Sequence, residues 1–101
     1  MSNGFDMNKL MAQAQAMQNN LSKVQKQLES TVYEGKSNGL VVRINGKDEV
    51  QSVEIPEDMM DDREMLQDVI MIAFNNAVKA ASDDRENKLG SATGGLNIPG
   101  M

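Results

Sequence analysis

Two residue types that often carry chemistry in proteins are absent from this 101-residue chain. Because it has no cysteine, it can form neither a disulfide nor a thiolate metal site. Because it has no histidine, it lacks the commonest general base and the commonest metal ligand. A serine or lysine nucleophile has little support without such a base. We therefore expect a protein that is not an enzyme and that needs no metal, no cofactor and no small-molecule substrate.

Aromatic residues and long apolar runs are also scarce. The chain has no tryptophan, one tyrosine and two phenylalanines against nine methionines, and methionine specifies core packing weakly. A small, soft core favours an obligate dimer. No run of 18 apolar residues and no signal-peptide segment is present. We therefore expect a soluble, cytoplasmic protein that does not bind membranes.

Acidic residues outnumber basic ones, and the net charge is −5. Phosphate contacts require Lys and Arg, so the total charge argues against a nucleic-acid partner. The charge is unevenly distributed, however. Residues 1–30 hold three Lys against two acidic residues, whereas residues 57–90 hold four basic residues against nine acidic ones. The total charge therefore does not decide the function.

A heptad pattern organises the first third of the chain. In residues 6–30 the apolar residues are separated alternately by three and four positions; they are Met7, Leu10, Ala14, Met17, Leu21, Val24 and Leu28. This stripe, called the seam below, predicts one uninterrupted helix with Asp6 at its cap. About 25 residues at ~1.5 Å each make a helix of ~37 Å, which is long for a chain of this size. So narrow a stripe needs a partner to bury it.

Three short strands are predicted next. Residues 31–36 and 40–44 are rich in β-branched residues and flank a Ser-Asn-Gly turn signal, and residues 47–55 follow the hairpin dipeptide Asn45-Gly46. The strands therefore form an antiparallel meander. One of its faces collects larger apolar residues, namely Leu40, Val42, Ile44, Val53 and Ile55.

A two-residue turn at Asn45-Gly46 also sets the pairs on the other face of the meander. It places Val41 opposite Val50 and Arg43 opposite Asp48, an expected cross-strand ion pair. Because this second face is partly apolar too, we expect it to meet a second copy of the sheet.

A second long helix is predicted over about 62–88. Its apolar stripe consists of Leu66, Val69, Ile70, Ala73, Phe74, Ala77, Ala80 and Ala81. The segment 69–74 is apolar on all sides, which indicates burial against a partner subunit. The acidic run 57–64 lacks the spacing of a calcium loop, so we interpret it as helix capping and not as a metal site. We expect residues 1–89 to form one domain and the Gly-rich residues 90–101 a flexible tail.

Lys9, Lys23 and Lys26 are predicted to lie on the outer face of the first helix, away from the seam. Two interpretations fit this face. It is either a solvated surface or a sparse phosphate-contacting surface flanked by Gln and Asn side chains, which can hydrogen-bond the DNA backbone. It carries no aromatic residues on which bases could stack, so duplex DNA fits better than a single strand.

Four segments, in this order, carry a resemblance to a known family: LMAQAQAMQNNLSKVQKQL, EGKSNGLVVRINGKDEVQSVEI, MLQDVIMIAFNNAVKAA and GLNIPGM. Together they cover nearly the whole chain, and the sequence resembles the YbaB/EbfC family of small bacterial nucleoid-associated proteins. The resemblance implies an α+β subunit of the order α-β-β-β-α, and a homodimer whose sheets join centrally while helical arms project. It also implies binding of double-stranded DNA, with roles in nucleoid organisation and gene regulation.

The resemblance also implies where DNA would be held. The arms correspond to residues 6–30 and to the distal part of 62–88, and they would clamp or bridge DNA. The DNA-binding residues it implies are the basic ones of these arms, namely Lys9, Lys23, Lys26, Lys79, Arg85 and Lys88. The competing hypothesis is a homodimeric protein-interaction module that grips another helix with the seam or with Met11.

Overall fold

The computed structural model describes residues 6–92 and shows the predicted order of elements. These elements are, along the chain, helix α1 (Met7–Ser30), strands β1 (Tyr33–Ser37), β2 (Leu40–Ile44) and β3 (Val50–Glu54), a 3-10 helix (Glu57–Met59) and helix α2 (Arg63–Ala92). The strands pair antiparallel in the order β1-β2-β3. The predicted α+β fold, a three-stranded meander with two long helices, is confirmed.

Helix α1 begins at the predicted cap. The Asp6 carboxylate accepts hydrogen bonds from the backbone N–H groups of Asn8 and Lys9 at 3.0 and 3.4 Å. These are two of the amide groups that a helix leaves without an internal partner. At the other end, the Thr31 hydroxyl donates to the carbonyl of Gln27 at 2.6 Å, and Thr31 itself has extended backbone angles. The helix therefore stops where the heptad pattern stops.

The turn between β1 and β2 is a two-residue hairpin formed by Asn38 and Gly39. Their φ angles are 51° and 87°. A type I′ turn requires positive φ at both central residues, which Gly adopts freely and Asn tolerates. The Ser-Asn-Gly signal in the sequence is explained by this geometry.

The two-residue turn predicted at Asn45-Gly46 is wrong. Residues 45–49 join β2 to β3, and within this loop the positive φ, 63°, belongs to Asp48. The Asn45 side-chain oxygen organises the loop by accepting from the N–H groups of Lys47 and Glu49 at 2.8 and 3.0 Å. An Asn side chain that bonds backbone two residues ahead stabilises a turn without positive φ at the following Gly.

The longer loop changes the strand register. Val41 pairs with Glu54, and Ile44 pairs with Val50 across an irregularity between Arg43 and Ile44. The expected pairs Val41–Val50 and Arg43–Asp48 are therefore wrong. Of the five apolar residues predicted on one face of the sheet, Leu40, Val42 and Ile44 are at most 1% exposed, whereas Val53 and Ile55 remain 44 and 39% exposed.

Helix α2 covers the buried face of the sheet with a stripe of small residues. The buried residues of this stripe recur every four positions; they are Val69, Ala73, Ala77 and Ala81. Small side chains let the helix approach β1 so closely that a Cβ added to Gly35 would lie 1.8 Å from the Ala73 carbonyl oxygen. Gly35 is therefore required for packing and not for a turn.

The acidic run before α2 caps the helix as predicted. The Asp62 carboxylate accepts from the Met65 N–H at 3.1 Å. At its other end α2 continues to Ala92 and so includes the first residues of the predicted tail. Gly90 does not end the helix, because glycine inside a helix costs only about 1 kcal/mol relative to alanine. The rest of the predicted tail lies outside the described residues.

The molecule is elongated. Its radius of gyration is 20.5 Å, whereas a compact domain of ~100 residues has one near ~13 Å. Its principal extents are 78 × 28 × 14 Å. At ~1.5 Å per residue, α1 with 24 residues and α2 with 30 residues are ~36 and ~45 Å long, so both helices contribute to the long dimension.

Candidate nucleic-acid interface

The amino-terminal two thirds of α1 form a solvent-exposed arm. Every residue from 7 to 20 is exposed, Leu21 and Val24 are half-buried, and Leu28 is the buried residue of the helix. The seam is therefore covered only at its carboxyl end, by α2. A helix held at one end presents the remainder of its surface to a partner.

The three lysines of α1 lie on one side of this arm. At ~100° per residue, Lys9, Lys23 and Lys26 fall within an arc of about 100° that lies opposite the seam, and Asn19 lies in the same arc. All four are exposed. Within residues 6–92 no carboxylate forms an ion pair with any of these lysines. Their charges are therefore available to an anionic ligand.

The two lysines predicted on α2 are in a different electrostatic setting. Lys79 forms an ion pair with Asp83 at 3.0 Å, and Lys88 forms one with Asp84 at 3.0 Å. Both pairs span one helical turn on the surface of α2. A phosphate would have to compete with a carboxylate for each of these ammonium groups.

Arg85, the third predicted basic residue of α2, points toward the loop between β2 and β3. Its Nη2 donates to the carbonyl oxygen of Gly46 at 3.1 Å, and the side chain is half-buried. The six predicted residues thus divide into three exposed lysines on α1, two paired lysines on α2 and one arginine bound to a backbone carbonyl.

Asp84 also joins α2 to the sheet. Its carboxylate accepts from the Tyr33 hydroxyl at 2.7 Å, across 51 positions of sequence. The hydrogen bond from Tyr33, followed by that from Lys88, lowers the pKa of Asp84 below its usual value. Burial, together with the neighbouring Asp84 carboxylate, raises the pKa of Tyr33 above its usual value. Nothing in the sequence pattern indicates this pair, because it depends on how α2 lies on β1.

The sheet face that α2 leaves uncovered does not offer free cations. Arg43 forms ion pairs with Glu34 at 2.7 Å and with Glu54, and Lys36 lies 3.7 Å from Glu34. Arg43 holds the pKa of Glu34 below its usual value. The positive charges of Arg43 and Lys36 are therefore already paired with carboxylates and are less available to a phosphate.

One basic residue that the sequence patterns did not indicate lies beside the arm. Lys47, in the loop between β2 and β3, is exposed and lines a shallow depression with Gln25 and Glu29 of α1. Among residues 6–92 it has no ion-pair partner. Its placement depends on the packing of the loop against α1, for which no local sequence signal exists.

Two other kinds of site, a metal site and a membrane-spanning helix, are missing from the part of the chain that the structure describes. No group of three or more acidic side chains is positioned there to hold a metal ion. No helix among these residues has the length and apolar character needed to cross a membrane.

Comparison with known proteins gives concordant matches. A model of the YbaB/EbfC DNA-binding family matches residues 3–96. A nucleoid-associated protein of Clostridium novyi is 44% identical over 105 residues, covering 100% of this chain and 92% of that protein. A nucleoid-associated protein of Rickettsia prowazekii is 38% identical over 96 residues, covering 91% and 90%. The crystal structure of an uncharacterized protein from Helicobacter pylori has the same fold, with a TM-score of 0.74, 26% identity and coverage of 89% and 99%.

Proposed function

This chain belongs to the YbaB/EbfC DNA-binding family, and we propose that it is a nucleoid-associated protein that binds duplex DNA as a homodimer through the α1 arms. The family is a DNA-binding family and not a known enzyme family. The proposed role is to clamp or bridge DNA in the cytoplasmic nucleoid, and thereby to organise the nucleoid and affect gene expression.

The observation that carries this proposal is the arrangement of charge on α1. Lys9, Lys23 and Lys26 share one exposed side of a helix whose only other charged residue is Glu29. A net charge of −5 works against the approach of DNA, which is itself negatively charged. On this side of the arm a phosphate backbone can be approached with three lysines that have no ion-pair partner among the described residues.

Exposed apolar side chains on α2 and β3 support the homodimer. Large apolar side chains of α2 and β3 are exposed in the single chain; they are Met65, Met71, Ile72, Val50 and Val53. We propose that a second copy covers this surface, in agreement with the apolar segment 69–74. Two-fold symmetry then supplies a second arm and doubles the number of available lysines.

The proposal makes a quantitative statement about salt. Each phosphate contact on duplex DNA contributes ~0.9 to the slope of log affinity against log salt concentration. Three lysines from each of two arms would give a slope of about −5 if all six engage. Because Gln and Asn can position the backbone but do not read bases, sequence preference would be weak.

The experiment is a fluorescence anisotropy titration of a labelled duplex of about 30 base pairs at several salt concentrations, with the protein mass measured by light scattering. We expect the mass of a dimer, and a slope of log affinity against log salt concentration of several negative units. A slope near zero, or no binding at low salt, would remove phosphate contact as the basis of the function.

A second function is favoured by one observation, the exposed apolar residues at the tip of the arm. Met7, Leu10 and Met11 are 59, 45 and 64% exposed. Such a tip can bind the groove of a protein partner. The two functions respond to different changes: Lys23→Glu with Lys26→Glu should abolish DNA binding without changing the dimer mass, whereas Met11→Asp should weaken only a protein interaction.

A further inference from the structure

The carboxyl end of α1 is the point at which the arm is anchored to the rest of the molecule. Leu28 is 4% exposed, whereas the residues from 7 to 20 are all exposed. The loop of residues 45–49 and the distal part of α2 both reach this end of the helix. Whatever holds Leu28 therefore sets the direction in which α1 projects.

Gly46 provides the contact between the loop and α1. A Cβ added to Gly46 would lie 1.8 Å from the Leu28 carbonyl oxygen and 2.5 Å from the carbonyl carbon. No side chain can occupy that space, so the two backbones are in direct contact. This close approach, and not a positive φ, explains why glycine follows Asn45.

Arg85 holds the same glycine from the side of α2. Its Nη2 donates to the Gly46 carbonyl at 3.1 Å, and the bond is part-buried. The other basic residues of the distal helix, Lys79 and Lys88, have partners one turn away on α2 itself. Arg85 differs because its partner lies 39 positions earlier in the chain. It therefore connects α2, the loop and α1 at one place.

We propose that Arg85 is a positioning residue that fixes the direction of the DNA-binding arm through Gly46. Its consequence for DNA rests on the proposed function above. Lys9 lies ~28 Å from Leu28 along the helix, so a tilt of about 10° at the anchor moves it by ~5 Å, whereas Lys23 and Lys26, within ~8 Å of the anchor, move by ~1 Å or less. Hydrogen bonds to phosphate act over about 3 Å, so a displacement of ~5 Å separates Lys9 from its phosphate. Arg85 would thus support DNA binding without touching DNA.

The direct test measures the arm without DNA. Since the chain has no cysteine, spin labels can be placed on introduced cysteines alone, at Gln13→Cys on the arm and Gln51→Cys on β3. Doubly labelled chain is mixed with an excess of unlabelled chain. Pulsed electron–electron double resonance then reports the distance between the two spin labels within one subunit. We expect Arg85→Met, which retains the apolar stem but removes the donors, to broaden the distance distribution.

Two further variants make this result decisive. Gly46→Ala disrupts the contact between the loop and α1, because its Cβ would clash with the Leu28 carbonyl, and it should broaden the distance distribution in the same way. Lys88→Gln removes one positive charge from the same helix and should leave it unchanged. If Arg85→Met unfolds, Arg85→Lys is measured instead, and a smaller broadening is expected because the ammonium can still donate to the Gly46 carbonyl. Distributions identical to that of the wild type for the Arg85 variant and Gly46→Ala would overturn the proposal.

Salt titrations and the distance measurement together separate this inference from the proposed function. If Arg85 positions the arm, Arg85→Met lowers DNA affinity severalfold, the slope falls by ~0.9 for each lysine contact that is lost, and the distance distribution broadens. If Arg85 contacts phosphate, the slope decreases by ~0.9 for each arginine lost and the distance distribution is unchanged, which overturns the proposal. If the wild type does not bind DNA at all, the proposed function fails, and the distance measurement still decides the role of Arg85.

Discussion

The two long helices of this protein differ in what their surfaces do. The first half of α2 lies on the sheet with Ala73 and Ala77 fully buried, whereas residues 7–20 of α1 are all exposed. Both are helices for local reasons, since each has an aspartate cap and few helix-breaking residues. The two helices differ in their side chains: α2 presents small residues to the sheet, whereas the arm of α1 exposes lysines and amides.

This difference shows which residues are constrained by the fold and which are free for binding. Where α2 crosses β1, there is no room for even one methyl group on Gly35. On the arm of α1, lysines and amides can be exchanged without disturbing any packing. Changes to the α2–sheet contact should therefore affect stability, and changes to the α1 arm should affect binding.

The largest expected effect is on stability and comes from Gly35→Ala. The added Cβ would lie 1.8 Å from the Ala73 oxygen and 2.4 Å from the Ala77 nitrogen, which are backbone atoms that cannot rotate away. Moving α2 off the sheet should cost about 3 kcal/mol, measured by urea unfolding. Gly39→Asn is the control and should cost far less, because asparagine tolerates positive φ. Equal losses for both variants would contradict the assigned role of Gly35.

A smaller effect is expected from Asp83→Asn, which releases Lys79 from its ion pair on α2. Exposed pairs are worth at most about 1 kcal/mol, so DNA affinity at low salt should rise by no more than about fivefold. Asp68→Asn removes the same charge from the part of α2 that lies on the sheet and is the matched control. If both variants raise affinity equally in anisotropy titrations, net charge and not the Lys79–Asp83 pair is responsible.

The contact between α2 and the sheet also predicts a pH effect. Burial and Asp84 raise the pKa of Tyr33, so the protonated phenol stabilises the fold. This contribution is fully present below the usual tyrosine pKa of 10.0 and is lost as the pH rises through the higher folded value. Tyr33 is the one tyrosine of the chain, so phenolate absorbance reports it directly. Asp84→Asn should lower the measured pKa; an unchanged pKa would contradict the hydrogen bond.

The smallest effect on stability is expected on the arm. Met11 is 64% exposed, so Met11→Lys should change the free energy of unfolding by less than about 0.5 kcal/mol. A loss of several times that amount in urea unfolding would show that the tip of the arm is buried in the assembled protein.

The order of the elements could be predicted because it depends on local patterns. The heptad of α1, the cap at Asp6 and the Asn38-Gly39 hairpin all act within a few residues. The buried face of β2 followed from alternation alone. What could not be predicted was the loop after Ile44, where the side chain of Asn45 competes with the two-residue turn that Asn-Gly usually forms.

The candidate interface was predictable to a lesser degree. That Lys9, Lys23 and Lys26 share an outer face follows from helical spacing. The contacts of the basic and acidic residues on α2 could not be predicted from helical spacing. The hydrogen bonds of Arg85 to Gly46 and of Tyr33 to Asp84 join residues 39 and 51 positions apart. Contacts at such separations depend on how the helices pack and have no signature in a single sequence.

The central claim, that the lysine side of α1 contacts DNA, is tested most directly by two matched charge reversals. Lys23→Glu with Lys26→Glu changes the arm, and Lys79→Glu with Lys88→Glu makes the same change in charge on α2. Both are titrated with the same duplex by fluorescence anisotropy. The first pair should abolish binding at a salt concentration where the second pair still binds. Equal loss by both pairs, or a greater loss by the α2 pair, would contradict the claim.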